Sequence, residues 1–528
     1  MLILQGISYI HPNKDLLFND INFTVNKQEK VALIGNNGTG KSTLLKIITT
    51  GLQPSGGHIN IETEPYFIPQ IFGQYNHLSV AQVLRVEDKL NALKEILKGN
   101  TSEENFNLLN DDWKIEDRCN EALNYWQLNE LDLSQKIETL SGGQKTKVFL
   151  AGISIHQPEL ILLDEPSNHL DIGSRQLLYN FIQTSKSTFL VVSHDRKLLN
   201  LLNTVLELSK YGIKTYGGNY DFYVEQKQTE NNALIQDIQS KEKALRSAKE
   251  KERETIERQQ KLDNRGKGKQ EKAGIAKIMM NTLRNSAENS TSKLKNIHTE
   301  KIGGISQDLL ELRSALPEID KIKFGFNSSA LHKGKNLFTA TNINFAYTTQ
   351  LLWSENKTLQ ILSGERIALK GQNGSGKTTL IKLILGDLEP QSGTIYRTEN
   401  KSVYIDQDYS LLDNSLTVYE QAQQFNVSAL QEHEIKIRLN RFLFAKDDWN
   451  KPCSTLSGGE RMRLLLCCLM ISSKSPDIII LDEPTNNLDI QNVQILTTAI
   501  NEYQGTLIVV SHDDFFLEKV NIEKEIKL

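Results

Sequence analysis

Gly35-Asn36-Asn37-Gly38-Thr39-Gly40-Lys41-Ser42 follows the apolar run Val31-Ala32-Leu33-Ile34 and opens the helical pattern Thr43-Leu44-Leu45-Lys46-Ile47-Ile48. A buried strand, a glycine-rich loop and a helix in that order make a phosphate-binding loop. The glycines let backbone N–H groups wrap phosphate oxygens, and the helix N-terminus favours their negative charge. In that setting Lys41 reaches the β- and γ-phosphates of a nucleotide, and the Ser42 hydroxyl is a Mg²⁺ ligand. The pattern returns as Gly371-Gln372-Asn373-Gly374-Ser375-Gly376-Lys377-Thr378, preceded by Ile367-Ala368-Leu369 and followed by Thr379-Leu380-Ile381-Lys382-Leu383-Ile384. One such loop can arise by chance. Two in context do not.

Each loop heads an ordered set of motifs. The first continues with Gln70, Leu140-Ser141-Gly142-Gly143-Gln144, Leu163-Asp164-Glu165-Pro166 and Ser193-His194-Asp195. The second continues with Gln407, Leu456-Ser457-Gly458-Gly459-Glu460, Leu481-Asp482-Glu483-Pro484 and Ser511-His512-Asp513. The distance from Asp164 to His194 is 30 residues, as it is from Asp482 to His512; Lys41 to Gln70 is 29 and Lys377 to Gln407 is 30. Asp164 and Asp482, at the ends of the apolar strands Ile161–Leu163 and Ile479–Leu481, are the expected Mg²⁺ partners. Glu165 and Glu483 are then placed to orient and deprotonate an attacking water. Gln70 and Gln407 sense the metal or position the water. A single histidine after a strand is usually structural, but two at one offset favour contact with the γ-phosphate. Tyr9 and Tyr347 precede their loops and are candidates to stack on a base, although strand aromatics more often belong to the core.

Composition sets the frame. A chain of 528 residues predicts several domains, and 24% charged residues with net charge −4 fit a globular class with no global reason to bind nucleic acid. Cys119, Cys453, Cys467 and Cys468 show neither metal-ligand spacing nor a disulfide framework, which fits a reducing cytosol. The start, Met1 to Tyr9, lacks the basic flank and longer apolar stretch of a signal peptide. Runs such as Ile478–Leu481 fall far short of the ~20 apolar residues of a membrane span. The chain is therefore expected to be cytoplasmic and to insert in no membrane.

Three segments follow. Residues 1–222 and 337–528 alternate strand-like runs with helical patterns, whereas 223–336 is rich in Lys, Glu, Gln, Arg and Ser and reads as long helices. Ile305, Leu309, Leu312 and Leu316, closed by Pro317, form a coiled-coil seam, and Leu234, Ile238 and Leu245 are compatible with its partner. A tip is expected near 262–292, where Gly266, Gly268 and Gly274 are taken to interrupt the helices. The fold class is α/β: two P-loop domains joined by a long antiparallel helical, coiled-coil linker. Gln70 to Ser141 spans 71 positions against 50 from Gln407 to Ser457, which locates a polar surface insertion at about 85–118.

The Leu-Ser-Gly-Gly-[Gln/Glu] stretches together with these loops resemble the ATP-binding cassette superfamily. Asp164-Glu165-Pro166-Ser167-Asn168-His169-Leu170-Asp171, the tandem layout, the helical linker and Tyr216–Tyr223 resemble its ABC-F branch, across essentially the whole chain. Ser167 and Asn487 depart slightly from the branch's usual residues. The resemblance implies ATP hydrolysis at two sites, each shared between one cassette's loop and the other's signature. Site one then joins Gly35–Ser42, Gln70, Asp164, Glu165 and His194 to Ser457, Gly458, Gly459 and Asp489. Site two joins Gly371–Thr378, Gln407, Asp482, Glu483 and His512 to Ser141, Gly142, Gly143 and Asp171. The cassettes pair within one chain, so a monomer suffices.

The resemblance also implies binding to the ribosomal exit site in the ATP-bound form, with the linker directed at the peptidyl-transferase centre. Residues 258–301 hold 11 Lys and Arg against 4 Asp and Glu, a local charge of +7 in a chain of −4. Such a segment suits ribosomal RNA, with tRNA as a second partner, though charge runs alone are usually solvated faces. Ile275, Ile278, Met279, Met280 and Leu283 more readily pack the tip than meet RNA. Within this reading lie a translation factor and an antibiotic-resistance ribosomal protection protein. A DNA-binding or repair ATPase is the alternative from another class, and the energy module of a separate transporter is a third. The fused cassettes and basic hairpin argue against the last.

Overall fold

The β-branched runs beside each phosphate loop become the central strands of two parallel sheets. A computed structural model describes the chain apart from residues 13, 210–211, 273–295, 297–298, 314–330, 348–349, 373, 473–475 and 487. In the first cassette six strands stand in the order Tyr66–Ile68, Leu160–Asp164, Thr188–Val192, Lys30–Ile34, Thr204–Ser209, Gly212–Tyr216. All pair in parallel except the last, which closes the edge as an antiparallel hairpin. The second cassette repeats the order with Ser402–Ile405, Ile478–Asp482, Thr506–Val510, Arg366–Lys370 and Lys524–Lys527, all parallel. Thr188–Val192 and Thr506–Val510 are buried at every position, as strands covered on both faces must be.

A smaller antiparallel sheet covers each parallel one. Leu16–Val25, Leu2–Ile10 and Gly56–Ile61 form it in the first cassette, and Lys357–Leu362, Asn336–Asn344 and Ser392–Arg397 in the second. The helix after each phosphate loop, Lys41–Ile48 or Lys377–Leu385, lies in the core between the sheets. Leu44, Leu45, Ile47 and Ile48 share a cluster with Leu2, Ile7 and Phe18 on one side and Leu33, Leu162 and Leu190 on the other. Leu380, Ile381, Leu383 and Ile384 do the same against Phe338, Ile343, Ile367 and Ile480. This packing fixes the helix that presents each loop. The four cysteines are free and buried, as small apolar residues would be.

Parallel topology gathers the candidate residues. The phosphate loop, the Asp-Glu pair, the histidine and the glutamine each follow the carboxyl end of a neighbouring strand of one sheet, where open α/β sheets bind ligands. The 85–118 insertion is helical, with Glu87–Leu97 and Glu103–Leu109 and the start of Ile115–Tyr125.

The described chain divides into two compact units, Met1–Asp221 with Lys321–Leu528, and Phe222–Asp320. The second is built on one helix, Tyr220–Lys272. Gly266 and Gly268 lie inside it and do not interrupt it, contrary to the sequence expectation. Each glycine costs a helix only about 1 kcal/mol, and the flanking Lys, Gln, Arg and Glu residues are good helix formers. Ile238 and Leu309 are buried, and residues 299–313 form a helical stretch tied to the long helix by the ion pairs Lys241–Asp308 and Arg313–Glu242. Of the seam residues described, Leu309 is buried and Ile305 and Leu312 are half-buried. Leu316, Pro317, Gly274, Ile275, Ile278, Met279, Met280 and Leu283 fall outside the described residues.

Candidate active site

Both phosphate loops need glycine for a stated reason. Gly40 caps its helix at a φ of +95°, and a Cβ there would sit 2.7 Å from Leu17 Cδ2 and 2.8 Å from Phe18 Cε1. Gly376 repeats this at +90°, with Leu352 Cδ2 at 2.6 Å and Trp353 Nε1 at 2.9 Å. Lys41 Nζ donates to the carbonyls of Gly35 (2.7 Å) and Asn36 (3.2 Å); Lys377 Nζ donates to those of Gly371 and Gln372, both at 2.9 Å. Burial holds both ammonium groups below the usual lysine range. Thr39 Oγ1 donates to the Asn36 carbonyl within the loop. Asn373 lies outside the described residues.

The catalytic candidates sit on a strained turn. Glu165 and Glu483 adopt φ of 52° and 47°, a left-handed conformation that is unusual away from glycine. The next strand holds them there: Glu165 N donates to the Val192 carbonyl and Glu483 N to that of Val510, each at 2.8 Å. The backbone N–H of His194 donates to Glu165 Oε2 at 3.3 Å, and that of His512 to Glu483 Oε2 at 3.4 Å. His194 Nε2 stands 3.3 Å from Glu165 Oε1, and His512 Nε2 3.3 Å from Glu483 Oε1, without a formed hydrogen bond. Burial pushes Glu165 up to about 8 and Glu483 to about 7, and drives His194 down to about 3 and His512 to about 4. Carboxyl groups raised into the neutral range can exchange a proton with water there. The histidines are neutral at pH 7, each with one ring N–H to give.

Site one is assembled from both cassettes. His11, Leu17, Asn37, Gly38, Gly40, Lys41, Ser42, Thr43, Gln70, Asp164, Glu165, Val192, His194 and Ser457 line a single cavity of about 380 Å³. Asn37 N donates to Asp489 Oδ2 at 2.7 Å, a bond spanning 452 residues. The other Asp489 oxygen caps its own helix through Asn492 N and Nδ2, both at 2.8 Å. Asp164 Oδ1 and Glu165 Oε1 are buried without a hydrogen-bond partner, and the Ser42 side chain lines the same cavity as Asp164. Unpaired carboxyl oxygens beside a hydroxyl and a phosphate loop form a donor set that fits a hard cation with its waters.

Site two shows the same approach from the first cassette. Asp171 is a charge neighbour of both Lys377 and His512, and Arg175 acts on Glu483 and His512. Around the two sites Lys197 Nζ bonds to Asp514 Oδ2 at 2.7 Å, and the Arg196 guanidinium stands 3.8 Å from the centre of the Phe515 ring. Gln407 and Thr378 are exposed.

The signature residues have a local job as well. Ser141 caps the helix Gly142–His156 and Ser457 the helix Gly458–Ile471, with Gln144 and Glu460 reaching back to the serine N–H groups at 2.9 and 2.8 Å. Gln144 and Glu460, which end the two signature stretches and were candidates for nucleotide contact with them, are engaged in these capping boxes. The spacing of three positions from serine to Gln or Glu is the sequence signal of such a box. The second glycine of each signature allows close packing: a Cβ on Gly459 would meet Asn492 Nδ2 at 2.2 Å, and one on Gly143 the His169 carbonyl at 2.8 Å.

Tyr9 is a correction. It packs against the first cassette's core beside Phe18 (ring centroids 6.3 Å apart), and the cavity is lined instead by His11. Gly40 abuts Leu17 and Phe18 as Gly376 abuts Leu352 and Trp353, so the copies align with His11 at the place of Tyr347. Both lie 30 residues before the loop lysine, whereas Tyr9 lies 32 before it. Tyr347 is exposed, and its hydroxyl is 3.0 Å from Thr379 Oγ1.

The family model described as ABC transporter matches residues 18–168 and 354–486, one match per cassette. The ATP-binding protein Uup of Escherichia coli K12 is 32% identical over 96% of this chain and 77% of its own length. ABC transporter F family member 5 of Arabidopsis thaliana is 29% identical over 95% of this chain and 71% of its own. The chain is an ABC-F ATP-binding cassette protein. It is a P-loop ATPase that hydrolyses ATP. The tandem fold is similar to that of the archaeal ribosome recycling factor aABCE1 in its complex with the stalk protein aP1, with TM-score 0.60 and 21% identity over 98% of this chain and 86% of that one. Among the described residues no helix of this ABC-F protein is long and apolar enough to cross a membrane.

Proposed function

We propose that ATP closes the two cassettes on each other, that the closed form binds the ribosome at its exit site, and that hydrolysis releases it. The observation that carries this reading is the hydrogen bond from Asn37 to Asp489, because it ties one cassette's phosphate loop to the other cassette. Nucleotide occupancy and cassette pairing are then one equilibrium, and a partner that prefers the paired form is switched by ATP.

In this reading the loop N–H groups and Lys41 or Lys377 hold the phosphates. Ser42, Gln70 and Asp164, and Thr378, Gln407 and Asp482, are the residues that would hold Mg²⁺, which when bound supplies charge neutralisation between the β- and γ-phosphates. Ser141–Gly143 and Ser457–Gly459 close over the nucleotide from the opposite cassette. Glu165 and Glu483 align water and take its proton as its oxygen bonds to the γ-phosphorus and the bond to ADP breaks. Neutral His194 and His512 donate a ring N–H to the γ-phosphate. His11 and Tyr347 flank the base.

The output is the linker. Its segment 258–301 carries +7 while the rest of the chain carries −11, so phosphate-rich ribosomal RNA, with tRNA beside it, is the fitting partner. Two solved assemblies of similar fold, aABCE1 with the ribosomal stalk protein aP1 and ABCE1 with ribosome-bound Pelota, also involve the ribosome. The reading places a monomer in the cytoplasm, as a translation factor or an antibiotic-resistance protection protein; growth of an expressing host on ribosome-targeting drugs separates these. Co-sedimentation tests the proposal. Glu165→Gln with Glu483→Gln should pellet with ribosomes in ATP and stay in the supernatant without it. Equal pelleting in both conditions refutes it.

A further inference from the structure

The two sites differ one strand away from their acids. Strand pairing sets Phe67 opposite Leu162 and Tyr404 opposite Ile480, each partner lying two residues before the aspartate of its own cassette. Phe67 and Tyr404 therefore occupy one position in the two copies. The Tyr404 hydroxyl donates to Asp482 Oδ2 at 2.8 Å. Phe67 has no hydroxyl, it packs on the core, and Asp164 Oδ1 remains buried without a partner.

We propose that Tyr404 is a positioning residue for Asp482 that makes site two the tighter holder of the metal–nucleotide pair. Mg²⁺ demands near-octahedral geometry and gives up water reluctantly, so its affinity depends on how firmly a carboxylate is oriented. A hydroxyl fixed on one oxygen sets the rotation of the whole group and leaves the other oxygen in one place. Hydrogen-bond partners of metal-binding side chains are typically worth about 10- to 100-fold in metal affinity. Asp164 has no such hydroxyl beside it from the neighbouring strand: its Oδ1 is buried without a partner, and the nearby Ser42 is itself a prospective metal ligand rather than a separate restraint. Asp482 keeps its tyrosine whether or not metal is bound. Burial and the neighbouring Asp482 charge push the Tyr404 hydroxyl well above the usual tyrosine range, which keeps it a donor at all working pH values. The inference rests on the Mg²⁺ assignment above and is independent of the ribosome.

Mn²⁺ is the probe. It is titrated into the ATP-loaded Glu165→Gln/Glu483→Gln chain, which does not turn over, and free ion is counted by electron paramagnetic resonance. Two classes of site should appear, separated by about tenfold. Tyr404→Phe, which removes one oxygen and keeps the ring, should weaken the tighter class about tenfold and merge the two. Phe67→Tyr should strengthen the weaker class. An isotherm unchanged within about twofold by Tyr404→Phe overturns the proposal, as does equal weakening of both classes, which would mark a general structural effect. Absence of any Mn²⁺ binding would instead remove the metal assignment itself.

Discussion

Asp489→Asn separates the two tasks of one side chain. Oδ1 accepts from Asn492 N and Nδ2 at 2.8 Å and caps the helix Ile490–Glu502, while Oδ2 accepts from Asn37 N across the cassettes at 2.7 Å. The residue is 3% exposed, so neither oxygen has water to fall back on. Asparagine keeps one oxygen, which the two local donors hold, and turns its NH₂ toward the Asn37 N–H. A charge-assisted bond of this kind contributes about 1.5–3 kcal/mol, and facing two donors removes all of it. The closing equilibrium of site one should therefore fall roughly 10- to 150-fold. The assay is ATP titration of the non-hydrolysing double Glu→Gln chain carrying Lys377→Ala, so that site one alone reports. The retained cap should keep the thermal midpoint of the first and second cassettes within a few degrees. Unchanged ATP affinity in the Asn variant would refute cross-cassette assembly of site one. A large fall in melting temperature with the affinity loss would show that the cap, not the bridge, had been broken.

Two other perturbations follow from the same geometry. Burial raises Glu165 from 4.5 to about 8, so the folded, nucleotide-free chain binds that proton more tightly than the unfolded chain. Its stability is then full below about pH 4.5 and declines as pH rises through 8, and Glu165→Gln should stabilise the nucleotide-free protein on the order of 2 kcal/mol more at pH 8 than at pH 6, read by urea unfolding at both values; an equal effect at the two pH values contradicts the burial argument. Gly376→Ala should destabilise the second cassette by about 1–3 kcal/mol, because its Cβ falls 2.6 Å from Leu352 Cδ2, while Gly374→Ala, whose Cβ meets nothing within 4 Å, should lose less. Equal losses in denaturant unfolding would show that backbone strain alone matters.

Much of the site was legible because its residues follow strand ends at fixed offsets, and parallel topology converts those offsets into proximity. Lys41, Asp164, Glu165, His194 and Gln70 meet in one cavity for that reason, and the resemblance to the ATP-binding cassette superfamily implied Ser457 as its far wall. What escaped the sequence depends on three-dimensional context. Residue type hid His11: a tyrosine two positions earlier matched the expected chemistry, while the 30-residue offset pointed to the histidine. Glycine was weighed as a breaker at 266 and 268, yet the surrounding helix formers carry the helix through both. The left-handed turn at Glu165 has no signal in the residue itself, because tertiary hydrogen bonds impose it. Tyr404 belongs to no motif, and only the strand order places its hydroxyl on Asp482.

On the proposed function, ATP-driven closure directs the basic linker onto ribosomal RNA. Chemical footprinting of ribosomes with the Glu165→Gln/Glu483→Gln chain tests it most directly. With ATP the account predicts protection at the exit site and beside the peptidyl-transferase centre, lost without nucleotide and weakened at the latter when Lys and Arg within 258–301 are replaced by Gln. Protection that ignores ATP, or a footprint untouched by the linker replacements, would contradict it.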